Sequence, residues 1–67
     1  MPTPEALERL RQAEERMKRA HQEHLAFIER PNRNYSAEER AENRRLLDRV
    51  NQAIVEYSQA FERAAQS

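Results

Sequence analysis

Apolar residues recur along this chain in steps of three and four, in two stretches separated by a short interval without that pattern. In the first stretch the stripe is Ala6, Leu10, Ala13, Met17, Ala20, His24 and Phe27, with Leu7, His21 and Ile28 beside it. In the second it is Leu47, Val50, Ile54, Tyr57, Phe61 and Ala64, flanked by Leu46, Ala53 and Ala60. Such spacing predicts two α-helices, each with a broad apolar face rather than a thin seam.

The boundaries are marked by local chemistry. Thr3 is a capping residue, Pro4 suits the first helical position, and Glu5 lies where the helix dipole favours negative charge. Nothing breaks a helix from Pro4 to about Arg30, where Pro31 disfavours further α conformation at the residue before it. Residues 31–36 form the loop. Ser36 and Glu39 have capping-box spacing, so the second helix runs from Ala37 to about Ala65. Residues 1–67 thus read as one helical hairpin. Two rods of about 40 Å at 1.5 Å per residue, joined by so short a loop, fold back antiparallel. That register sets Met17 near Val50, Ala13 near Ile54, Leu10 near Tyr57 and Leu7 near Phe61.

The fold class is therefore all-α, an antiparallel two-helix hairpin of coiled-coil character. Leu7, Leu25, Leu46 and Val55 are left without partners inside one such hairpin. A core this small rarely stabilises a chain of under about 70 residues unless something staples it. The chain has no cysteine, so disulfides and thiolate metal sites are excluded. Oligomerisation is the remaining route. The expectation is a four-helix bundle formed by a homodimer, or a larger homo-oligomer, with those four residues in self-association.

Charge narrows the function. Twelve basic residues, eleven of them Arg, balance twelve acidic ones, whereas nucleic-acid binders of this size carry a positive excess. No apolar run is long enough to span a membrane, and the N-terminus has no apolar signal-peptide core. A cytoplasmic location is the expectation. No cofactor is expected.

Candidate chemistry is sparse. His21 and His24 lie three apart on the apolar side, a spacing that suits a metal, but no third ligand or Glu-x-x-His pattern accompanies them. The simpler reading is a polar core layer of His21, His24 and Asn43 that fixes register. Near the hairpin tip, Arg30, Arg33, Arg40, Arg44, Arg45 and Arg49 could hold an anion. Interleaved Glu29, Glu38, Glu39 and Glu42, and i,i+4 spacings such as Arg44 to Asp48, also fit a solvated face. Arg40, Arg44, Arg45, Arg49 and Tyr35 are the candidate ligand or partner contacts. Tyr35 otherwise packs the loop against Phe27 or Ile28. Ser36 is explained as a cap and Ser58 lies far from both histidines, so no nucleophile–base pair can be drawn. The chain does not read as an enzyme.

Two families share features with it. Arg45, Leu47, Ile54, Ala60, Arg63 and Ala64 resemble the second helix of phage anti-defence hairpins that sequester cyclic nucleotides. The aromatic after the first Arg and the Gly-Phe-Met stretch of that family are absent here. In layout, though in no motif, the chain is also similar to the plasmid copy-number RNA-binding hairpin. The first resemblance implies a cyclic-nucleotide ligand held between protomers; the second implies RNA. The residues themselves favour a self-associating interaction module of the adaptor or small phage-inhibitor kind. A cyclic-nucleotide sponge ranks second, and RNA or DNA binding through the Arg-rich tip third.

Overall fold

The computed structural model describes residues 1–31 and 34–66. Helix α1 spans Pro4–Ile28 and helix α2 spans Ala37–Gln66, and the two pack against each other along their length. Among the described residues there is no strand.

Each helix start is held by side chains. Thr3 Oγ1 accepts from the Ala6 amide at 3.1 Å, and the Thr3 carbonyl accepts from Leu7 N at 3.0 Å. Ser36 Oγ accepts from Glu39 N at 3.2 Å. The Glu39 carboxylate reaches back to the amides of Tyr35 (2.8 Å) and Asn34 (3.1 Å), and to the Arg30 guanidinium at 3.2 Å. The bonds from the Ala6 and Glu39 amides satisfy first-turn donors that the helix geometry itself leaves without a partner.

Helix α1 ends at Ile28, two residues before the expected boundary near Arg30. Pro31 has no N–H to offer the Phe27 carbonyl, so Arg30 N takes that acceptor at 3.3 Å and the last turn tightens. Of the expected loop, Asn32 and Arg33 lie outside the described residues. Tyr35 has φ 54°, in the left-handed region, and its side chain is largely exposed.

The seam between the helices is made mostly of small residues. Ala13, Ala20 and Phe27 of α1 are buried against Leu46, Val50, Ala53 and Ala64 of α2, with Met17 packed beside Ala20, Val50 and Ala53. This corrects the inward stripe expected for α2. Leu46 and Ala53 face inward, while Leu47, Ile54 and Phe61 lie partly in solvent. The helix is turned by about half of the 100° step between residues. Alanine at 13 and 20 lets the helices approach closely only where α2 also presents a small side chain, and Ala53 does so. Ile54 in that place would hold them apart.

The resulting rod measures 50 × 16 × 11 Å, with a radius of gyration of 15.4 Å. A compact chain of this length would have about 11 Å. Among the described residues no side chain is fully enclosed. The hairpin is one layer of two helices, and both of its broad faces are open.

Candidate interaction surface

The two broad faces differ in chemistry. On one, ion pairs cross between the helices: Glu23 with Arg49 at 2.9 Å and Arg16 with Glu56 at 3.6 Å. A groove beside them is lined by Arg9, Arg16, Gln12, Gln59 and Arg63 over a floor of Ala13 and Ala60. This is the charged face.

The other face carries most of the exposed large apolar side chains, with Glu14 and His21 among them. With 3.6 residues per turn, Leu7, Leu10, Met17, Leu25 and Ile28 project to the same side of α1. In an antiparallel pair that side adjoins the Leu47, Ile54 and Phe61 side of α2. At the open end of the hairpin, Leu7, Leu10, Phe61 and Ala65 indeed line one shared groove. Leu7, Leu25 and Ile28 of α1, with Leu47, Ile54, Val55 and Phe61 of α2, are each between 39% and 55% exposed.

Helix α2 carries two heptad-like frames that share Val50, Tyr57 and Ala64. The frame with Leu46, Ala53 and Ala60 faces α1. The frame with Leu47, Ile54 and Phe61 is the one left open. Two knobs-into-holes stripes on one helix are what a helix in a multi-helix bundle presents to two neighbours.

A compact 8.0 kDa chain should expose about 4,500 Å², whereas this elongated one exposes 5446 Å².

The residues singled out from the sequence distribute unevenly over this frame. Leu7, Leu25 and Val55 lie open on or beside the apolar face, but Leu46 does not: it is buried inside the hairpin, because α2 turns it toward α1. His24 and Asn43 meet, with Nε2 and Oδ1 2.9 Å apart. His21 is exposed on the open face, in line with Leu7 and Ile28, and stands outside that polar layer, since three residues along a helix turn it away from the seam. Among the described residues no group of three or more His, Asp or Glu is placed to hold a metal. Among the described residues no helix is long and apolar enough to cross a membrane.

The tip arginines do not converge. Arg45 is engaged by Glu42 at 2.6 Å, Arg49 by Glu23 across the seam, and Arg30 by Glu39 while lying 4.9 Å above the Phe27 ring. Arg40 and Arg44 have no ion pair among the described residues and stand on the α2 rim of the apolar face. Arg9, which sequence reasoning passed over, and Arg63, which entered it only through the resemblance to the phage hairpins, share the groove at the opposite end. Their meeting depends on hairpin register at the open end, and the small residues Ala13 and Ala60 were its only sequence signal.

Along the outer side of α1, Arg11 bridges Glu8 at 2.7 Å and Glu15 at 3.2 Å. The hydrogen bond from Arg11 lowers the Glu8 carboxyl below its ordinary range, and Glu8 raises the Arg11 guanidinium in turn.

Comparison with known proteins gives no match: no family model fits the chain, and no curated protein or solved structure matches it.

Proposed function

We propose that this chain is a non-enzymatic interaction module that works as a homo-oligomer, most simply a dimer, closed over the apolar face. The observation that carries the reading is the second heptad frame of α2, Leu47, Ile54 and Phe61, which the hairpin leaves open beside Leu7 and Ile28. A row of half-exposed large apolar side chains such as this is what an interaction site presents. Once that face is closed, the charged faces point outward and present Arg and Glu side chains to a further protein partner, as an adaptor or a small inhibitor requires.

The test is Ile54→Lys, measured by circular dichroism and by light scattering after size exclusion. A lysine at the middle of the open face leaves the intramolecular seam untouched. The helical signal should persist while the mass falls to that of one chain. Unchanged mass would remove the apolar face from the account.

A second reading follows from the groove between Arg9, Arg16 and Arg63. Glu5 and Glu56 partly offset their charge, yet three guanidinium groups around an alanine floor suit a phosphate-bearing ligand such as a cyclic nucleotide. Arg63 is also one of the residues that resemble the cyclic-nucleotide-binding hairpins. A thermal-shift screen of cyclic di- and oligonucleotides against the native chain and Arg63→Ala decides it. No stabilisation of the native chain by any of them ends this reading.

A further inference from the structure

On the charged face the two helices meet in rungs that repeat at heptad spacing. Glu23 faces Arg49 at 2.9 Å, and one heptad nearer the open end Arg16 faces Glu56 at 3.6 Å. One heptad further again, the two positions hold Arg9 and Arg63. Both line the groove at that end, with Arg16 and Glu56 on its inner side. Two rungs are therefore complementary, and the third sets like charges against each other.

Packing within the chain does not account for Arg9. Among the described residues no ion pair engages Arg9 or Arg63. Arg63, in the last turn of α2, complements the negative end of that helix. Arg9 has no such reason to be there, because it stands in the second turn of α1, toward the positive end. Glu5, one turn before it, also lines the groove, but among the described residues no ion pair joins the two. Between the arginines the floor is alanine: Ala13 is buried and Ala60 half-buried. No large side chain fills the space above them.

We infer that the Arg9–Arg63 rung is a clamp for one phosphate monoester, whose dianion sits between the two guanidinium groups. This rests on the second reading above, that the groove takes phosphate. It deepens that reading by naming which arginines hold the anion and which phosphate chemistry fits. Arg16 is committed to Glu56 and forms the inner wall. A monoester presents three terminal oxygens, enough for two forked guanidinium groups to grip it from opposite sides. A cyclic phosphodiester presents two and carries a single charge, so it gains about half the Coulomb attraction at equal distance. The first turn of α1 borders the same groove, and its positive end adds to the field. Glu5 and Glu56 oppose it and keep the binding weak.

The test titrates the native chain with adenosine monophosphate, inorganic phosphate and cyclic adenosine monophosphate at constant ionic strength. At about pH 7.5 the monoester is mostly a dianion. The arginine side-chain NH signals are followed by NMR. Those of Arg9 and Arg63 should shift with adenosine monophosphate and with inorganic phosphate, while those of Arg11 and Arg19 stay in place. The cyclic form should bind about tenfold more weakly, and Arg9→Gln should weaken the monoester by about the same factor. Equal shifts at every exposed arginine would mark an adventitious ion only and overturn the inference. Tighter binding of the cyclic form overturns it too, and leaves the second reading intact. If neither these compounds nor the cyclic nucleotides screened above bind, both fall.

Completing the ladder gives a second readout. Arg9→Glu makes the third rung complementary, so the melting temperature without phosphate should rise and its further increase with adenosine monophosphate should vanish. The rise should shrink when Arg63→Gln is added, as pairing across the rung requires. A rise that is the same with and without Arg63 contradicts the facing of the two arginines.

Discussion

His24 Nε2 lies 2.9 Å from Asn43 Oδ1, and this hydrogen bond ties α1 to α2 within a seam whose buried residues are otherwise apolar. Apolar seams tolerate sliding by a turn, because one alanine packs much like the next. A half-buried polar pair does not, since any shift leaves its donor or acceptor without a partner. The pair sits near the tip, where it sets register for the whole rod.

A double-mutant cycle on His24→Ala and Asn43→Ala measures this tie. The coupling should be about 0.5–1.5 kcal/mol in urea unfolding, the range for a partly buried neutral hydrogen bond. The cycle cancels the helix-propensity gain of Asn to Ala, which a single variant would confound. Additive effects of the two changes would show that the contact does not contribute.

Leu46 and Leu47 are adjacent and chemically identical, yet the fold gives them opposite duties. Leu46→Ala should cost about 2 kcal/mol of hairpin stability, at the low end for buried leucine because this core is shallow. Leu47→Ala should leave the hairpin seam unchanged and reduce the concentration dependence of the melting temperature, since its contribution comes through association. Denaturation at two protein concentrations separates the effects. Equal behaviour of the two variants would contradict the orientation of α2.

Tyr35 holds φ 54°, a conformation that costs a residue other than Gly, Asn or Asp about 1–2 kcal/mol. The Glu39 carboxylate, accepting from the Tyr35 amide at 2.8 Å, keeps it there. Tyr35→Asn should therefore raise the melting temperature, by about 0.5–1 kcal/mol of stability. Glu39→Ala should lower it by about 1 kcal/mol or more, through loss of the cap. Thermal unfolding at matched concentration reads both. A lower melting temperature for Tyr35→Asn would mean that the tyrosine ring stabilises the tip by more than its backbone strain costs.

Acid acts on the Glu8–Arg11 pair. The Glu8 carboxyl is depressed in the folded chain, so its contribution to stability is fully present above the unfolded value and is lost as pH falls through the folded one. A carboxyl-carbon NMR titration should place the Glu8 midpoint below the ordinary glutamate value of about 4.3. Arg11→Gln should return it toward that value. A normal midpoint in the native chain would show that the pair is not formed in solution.

The two helices were legible because their signals are local. Thr3 and Pro4 open α1, Pro31 closes it, and Ser36 with Glu39 opens α2, all within a few residues of the boundary they set. The choice between Leu46 and Leu47 was not legible in the same way. Both lie on the apolar flank of α2, and what decides between them is the depth left by Ala13 and Ala20 on the other helix. Arg49 looked available in sequence because Glu23, on the other helix, becomes its partner only once the hairpin closes, whereas Glu42 stands three residues from Arg45 in the sequence itself. Arg9 and Arg63, more than fifty positions apart, come together only through the register of the open end.

Sedimentation velocity of the native chain, from about 1 to about 100 μM, tests the central claim most directly, since that range spans micromolar dissociation constants. The account predicts a boundary that moves with concentration toward twice the 8.0 kDa chain mass or a higher multiple. A helical species that stays at 8.0 kDa throughout, with Leu47, Ile54 and Phe61 facing water, would contradict it.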